Sequence, residues 1–258
     1  MTMIHSSAII DSTAEIDQNV TIGPYSVIGE NVRIGSGTSV GPHVVIGKNT
    51  FIGCDNKLFQ FSSIGEDPQD KKYSKEDTSL IIGDKNIVRE FSTIHRGTFQ
   101  DNSITKIGNG NLLMAYTHVA HDCLVGNEII MANASSLGGH VQVNDYAILG
   151  GFSIIHQFCR VGHYSFSAMG SVISKDIPPY VMVSGHPAKP HGLNSEGLKR
   201  KGFSSEQILE IKSAYKILYQ SNLRLEDAIQ ELKSNFASST DINILIDFLL
   251  SNKRSIVR

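Results

Sequence analysis

Aliphatic residues recur at every sixth position through most of the chain. Ile10, Ile16, Ile22, Ile28, Ile34, Val40, Ile46, Ile52, Leu58 and Ile64 share one phase, which continues at Ile82, Val88 and Ile94. The pattern restarts at Ile107 and runs through Leu113, Val119, Val125, Met131, Leu137, Val143, Leu149, Ile155 and Val161, skips at Ser167 and returns at Ile173. A fixed internal period marks a solenoid, and a period of six matches neither a helix nor plain strand alternation. It predicts one short strand and one turn per hexad, with three hexads closing a triangular coil. Glycine follows the aliphatic at 23, 29, 35, 41, 47, 53 and 65, and a following Gly, Asn or Asp is expected to permit the positive φ of a corner. Stacked coils would pair as parallel strands ~4.8 Å apart, so roughly eight coils form a prism on the order of 40 Å long.

Two breaks in the rhythm predict excursions from the prism. Residues 66–79 (EDPQDKKYSKEDTS) put Asp70 and Glu76 at inward positions and are otherwise polar and turn-rich. Between Ile94 and Ile107 the spacing is not a multiple of six, which requires a second excursion near 98–105. Loops that leave a regular scaffold are where binding groups concentrate. After Ile173, Pro178 and Pro179 cannot donate to a ladder and are expected to end the repeat. A division follows: residues 1–190 as β-helix and 191–258 as a helical tail. Ser204 and Gln207 form a capping-box pattern ahead of Ile208, Ile211, Tyr215 and Leu218, and further helices are expected near 225–235 and 241–252. Such a tail could cover an end or side of the prism, or supply part of a partner subunit's site.

Composition narrows the function classes. With 23 basic and 25 acidic side chains the net charge is −2, so there is no general pull toward nucleic acid or membrane. The tail is mildly basic, with Lys199, Arg200 and Lys201 in a row. Cys54, Cys123 and Cys159 are odd in number and unpaired in spacing, which points to reduced thiols. No signal peptide is visible and no window reaches the ~18 apolar residues of a membrane span, so the chain is expected in the cytoplasm.

The chemistry concentrates in histidine. Six of the 10 histidines fall between residues 95 and 163. His118 and His121 flank Val119, His140 follows His121 by about one coil, and His95 is expected some two coils below. These four could line one groove at a corner. The groove could hold a metal on imidazoles, or one neutral imidazole could act as general base. Asp122 could orient His121, and the Gly138–Gly139 pair offers an unshielded N–H suited to an oxyanion. Cys123 is expected as a small core filler.

The segments TIHRG (93–97), NLLMAYTHVAHDC (111–123), GGHV (138–141), HQFC (156–159) and EGLKRKGFS (196–204) resemble the UDP-N-acetylglucosamine O-acyltransferase family of lipid A biosynthesis. The resemblance runs from the first hexads to the last helix. It implies a left-handed parallel β-helix with a C-terminal α-helical domain, forming a homotrimer with sites between neighbouring prisms. It implies transfer of a 3-hydroxyacyl chain from acyl carrier protein to the glucosamine 3-hydroxyl, without a covalent enzyme intermediate, a metal or a cofactor. By this likeness His121 is the general base, Asp122 its partner and Gly139 the oxyanion donor. Asp70 and Lys72 hold the sugar, His95, His118, His140 and Gln157 contact sugar and diphosphate, and Asn194, Glu196 and Arg200 reach the nucleotide. Three positions depart from the pattern. Lys201 replaces a second arginine and loses bidentate pairing, and His186 stands where Asn is common. Met169 replaces the glycine that leaves the acyl groove open, favouring roughly ten to twelve carbons over fourteen.

Overall fold

The computed structural model describes residues 2–74, 76–100, 103–251 and 254–258. Residue 75, inside the first expected excursion, and residues 101–102, inside the second, lie outside the described residues. Hexads become strands of mostly two residues, such as Val27–Ile28 and Val45–Ile46, in which the first side chain faces out and the second is buried. Among the described residues the strands form three sheets of eleven, nine and eight members, beginning at Met3–Ile4, Ile9–Ile10 and Glu15–Ile16 respectively. Up to Val181–Gly185, each strand pairs in parallel with the one a coil away, as in Ile28↔Ile46 and Leu137↔Ile155. The prism is a left-handed parallel β-helix. Its interior is a column of the sixth-position aliphatics, and a member such as Leu113, with no exposed surface, contributes about 1.5–3 kcal/mol through burial.

The glycines of the hexads do a different job from the one expected. The left-handed corner residue lies three places after the inward aliphatic and is mostly not glycine: Tyr25, Asn31, His43, Asn49, Asp55 and Phe61 all have φ between 52° and 62°. The glycines directly after the aliphatic are needed for space. A Cβ on Gly23 would stand 2.7 Å from the Pro42 nitrogen, and one on Gly35 would stand 2.7 Å from the Gly53 carbonyl carbon. Close stacking of coils, rather than positive φ, selects glycine at these positions, with Gly65, at φ 80°, the exception. The skip at Ser167 has a local cause too, since its buried hydroxyl pairs with that of Ser153 at 2.8 Å.

Both excursions leave from the same corner, where the second sheet hands over to the third. The first joins Ser63–Glu66 to Ser79–Ile82 and the second joins Thr93–His95 to Ile104–Ile107. The first is pinned by the buried Arg96, whose guanidinium donates to the Gly65 carbonyl, the Asp67 carboxylate and, at 3.2 Å, the Tyr73 hydroxyl.

The two prolines do not end the sheet. Strand Val181–Gly185 still pairs in parallel with Phe166–Ser167, then turns at His186 and Pro187 into the antiparallel strand Ala188–Leu193. The missing proline donors fall in the turn before this strand, so the ladder resumes once N–H groups return. Among the described residues four helices follow: α1 (Ser195–Arg200), α2 (Ser205–Gln220), α3 (Leu225–Asn235) and α4 (Thr240–Leu250). The capping box of Ser204 and Gln207 opens α2. Helix α1, absent from the sequence reading, is too short to show a period and is capped by the Asn194 side chain. The helices share a second core around Leu198, Ile211, Leu218, Leu232 and Leu245. Val257 and Ile256 are buried, and Val257 N–H donates to the Asp176 carbonyl, so the chain end closes one end of the prism.

Candidate active site

The corner that ejects both loops also carries the imidazoles. His118 faces out from strand His118–Val119, and His121 and Asp122 follow at the turn before Leu124–Val125. Strand pairing of Thr93 with His118 puts His95 one coil below, not two. The second excursion consumes residues without adding a coil, which is why counting along the sequence overshot. The His95 and His118 rings meet edge to face at 4.9 Å, and those of His121 and His140 at 5.1 Å. His140 stacks on Phe158 at 4.4 Å.

Asp122 is the buried centre of this group. Its Oδ2 lies 2.8 Å from His121 Nδ1 and 2.6 Å from Thr98 Oγ1, and its Oδ1 accepts the Thr98 backbone N–H at 2.9 Å. Burial alone would raise its carboxyl. The hydrogen bonds from His121 and Thr98 outweigh that and hold it below the usual carboxylate range. An ionised Asp122 can only accept, so His121 Nδ1 carries the proton and a neutral ring presents Nε2 as an acceptor. Gly139 packs directly on that ring, and a Cβ there would stand 2.6 Å from His121 Cε1. The Gly139 carbonyl accepts from Phe158 N–H, while among the described residues its own N–H donates to no protein acceptor.

His121, Asp122 and His140 also offer three ligand atoms within 4.8 Å of one another. The donors already on both Asp122 oxygens fit that group as an orienting carboxylate better than as a metal ligand. Cys123 is buried and its thiol is pushed up to about 12 by burial, which suits the filler role and not a nucleophile.

Burial, reinforced by His118 and His121, lowers His95 to about 4, and burial then His121 lowers His118. The folded value lies below the unfolded one, so the unfolded chain takes up a proton first as pH falls. Stability from this group is therefore whole above pH 6.5 and declines as pH falls toward about 4. Urea melts between pH 7 and pH 4.5 are expected to lose on the order of 2–3 kcal/mol on this account, and His95→Gln flattens that limb. An unchanged pH dependence in the variant would contradict the assignment.

The remaining expected residues lie elsewhere. Asp70 and Lys72 sit in the first excursion, where Asp70 Oδ1 accepts the Lys72 N–H at 2.9 Å, and neither touches an imidazole among the described contacts. Gln157 is exposed at the His121 corner above Gly138. Asn194, Glu196 and Arg200 line a pocket of about 540 Å³ with Tyr146 and Tyr164, against the first sheet and opposite the imidazole corner. One chain does not bring them to His121. Lys201 lines the same pocket, paired with Glu128 at 3.4 Å and set over the Tyr146 ring at 4.6 Å. Met169 is exposed at the corner between the first and second sheets. Sequence reasoning passed over Arg96, Thr98 and Thr105, because each contact has one end in a segment that breaks the period: the partners Asp67 and Tyr73 for Arg96, and the threonines themselves for Asp122.

These coils and their corner define a hexapeptide-repeat protein, and the bacterial transferase hexapeptide model (six repeats) matches residues 25–57. A second model, described as UDP N-acetylglucosamine O-acyltransferase, Domain 2, matches residues 176–257. The chain is 55% identical to the acyl-[acyl-carrier-protein]–UDP-N-acetylglucosamine O-acyltransferase of Herminiimonas arsenicoxydans, over all of both chains. It is likewise 55% identical over all of both chains to the protein of that name in Thiobacillus denitrificans. Among solved structures, LpxA from Acinetobacter baumannii superposes with a TM-score of 0.97 at 49% identity, covering 99% of this chain and 100% of that one. The UDP-N-acetylglucosamine acyltransferase of Francisella novicida gives 0.97 at 43%, covering 99% and 94%. The chain belongs to the acyl-[acyl-carrier-protein]–UDP-N-acetylglucosamine O-acyltransferase family and is an acyltransferase. No helix of its described residues is long and apolar enough to cross a membrane.

Proposed function

We propose that the protein moves a 3-hydroxyacyl chain from acyl carrier protein to the 3-hydroxyl of UDP-N-acetylglucosamine, the first step of lipid A biosynthesis, in the cytoplasm. The observation that carries this reading is the His121–Asp122 pair lying against the unengaged Gly139 N–H, in a chain whose full-length relatives bear that activity in their name. His121 Nε2 takes the proton of the sugar hydroxyl as its oxygen attacks the thioester carbonyl. The Gly139 N–H donates to the developing oxyanion. When the C–S bond breaks, the proton on His121 passes to the departing thiolate, and no covalent enzyme intermediate forms.

In this reading Asp70 and Lys72 hold the sugar, and His95, His118, His140 and Gln157 contact sugar and diphosphate. The buried His95 Nδ1 has no partner among the described residues, which supports a ligand contact there. Asn194, Glu196 and Arg200 receive the nucleotide from a neighbouring chain, since their pocket lies opposite His121 within one chain. A homotrimer, the assembly the family resemblance implies, accounts for both halves of the site despite that separation.

The acyl chain runs along the outer face of the second sheet. Ile154, more than half exposed, faces out there between His118 and the corner of Met169. Met169 lies three coils beyond His121, about 14 Å along the prism, and closes the groove for chains of about ten to twelve carbons. Met169→Gly is expected to move the preferred donor to longer chains, read by product mass in a competition among 3-hydroxyacyl carrier proteins. An unmoved preference would defeat the gauge. The overall reading is tested by mixing the protein with 3-hydroxyacyl carrier protein and UDP-N-acetylglucosamine. A product heavier by one hydroxyacyl group is expected, with coenzyme A thioesters unable to substitute. UDP-sugar binding without turnover on any carrier-bound chain would instead leave a binding module.

A further inference from the structure

The second excursion begins and ends on Asp122. Thr98, at its start, gives that carboxylate two hydrogen bonds, from its backbone N–H at 2.9 Å and its hydroxyl at 2.6 Å. Thr105, at its end, accepts the Asp122 backbone N–H on its hydroxyl at 2.8 Å. Both threonines are buried, and Asp122 itself holds a left-handed corner with φ 58°. An aspartate in that conformation, turned back against its neighbouring histidine, needs both its backbone and its carboxylate fixed. Ordinary corners such as Tyr25 and Asn31 have their N–H held by a hydroxyl a coil away, on Ser7 and Thr13; at Asp122 the side chain is held as well, by Thr98.

We propose that Thr98 and Thr105 are positioning residues for the acyl transfer, and that the second excursion serves to clamp Asp122 from both ends. The proposal rests on His121 acting as the base. Thr98 saturates the carboxylate, so that the oxygen facing His121 has one orientation and stays ionised. Thr105 holds the peptide that carries it. Together they keep His121 in the tautomer with Nδ1–H toward Asp122 and Nε2 free, which is the form able to take a proton.

Thr98→Val removes the hydroxyl while keeping shape and the backbone N–H, and Thr98→Ser restores the hydroxyl. The expected result is a 10- to 30-fold fall in kcat for Thr98→Val with KM for UDP-N-acetylglucosamine within twofold, and recovery in Thr98→Ser. Nitrogen NMR of His121 should show mixed tautomers in Thr98→Val and one tautomer in the parent. Thr105→Val gives the same signature and carries the prediction should Thr98→Val not fold. In an Asp122→Asn background either substitution should add less than twofold. Effects that multiply in the double variant, or a His121 tautomer untouched by both valines, overturn the clamp. If Asp122→Asn leaves turnover intact, the clamp has nothing to hold and falls; if His121→Ala does so, the base assignment fails instead, and the two failures are thereby told apart.

Discussion

His121→Ala lowers kcat by about 10³-fold, inside the roughly 10²–10⁴ that positioned general bases contribute, while KM for the nucleotide sugar stays within a few-fold. The ring is half-buried at a corner outside the aliphatic column, so its loss leaves the core packing whole. What disappears is the proton acceptor, together with the reason for Asp122 to be buried and ionised. Initial rates with carrier-bound 3-hydroxyacyl donor, read beside circular dichroism and sedimentation, separate these effects. Turnover above a tenth of the parent in a folded protein would remove His121 from the role of base.

Gly139→Ala is expected to cost about 10²-fold or more in kcat, because a misplacement on the scale of an ångström at the reacting groups does so. The added methyl would stand 2.6 Å from Cε1 and 2.8 Å from Nε2 of His121, well inside van der Waals contact. The ring must swing away, and its bond to Asp122 lengthens or breaks. Gly151→Ala is the matched control, since a Cβ there meets only the Asn133 carbonyl oxygen, at 3.3 Å. The control should stay within threefold of the parent. Equal rates for the two variants would show that the His121 site does not depend on close approach by the Gly139 backbone.

The prism was legible because burial repeats. Every sixth position from Ile22 to Ile64 is an aliphatic with almost no exposed surface, and an inward side chain leaves a direct trace in composition. The corner was legible for His121, Asp122, Gly139 and His140, which are separated by about one regular coil. Counting failed for His95, one coil away from His118 instead of two, because an excursion of unknown path intervenes. The same blindness hid Arg96, Thr98 and Thr105, whose partners are set by loop geometry. Helix α1 and strand Ala188–Leu193 escaped for a different reason: each is fixed by packing against the finished prism, and neither repeats. The glycines show a third kind of gap. Their positions were visible, yet positive φ and close stacking select the same residue, and only the stacked coils distinguish them.

The intervals between paired strands on the second sheet carry a lesson about variation. Val45 pairs with Ser63, Ser63 with Thr93, Thr93 with His118 and His118 with Ser136, so the step along the chain widens and then returns to its starting length. Nothing above the insertions is displaced, because a corner absorbs extra chain without shifting the ladder on either side. Growth or loss of a loop at that edge is thus nearly neutral for folding while it reshapes what the edge can hold. The scaffold therefore tolerates a change of loop length there, while Asp122 does not tolerate the loss of Thr98 or Thr105 at the ends of the second loop.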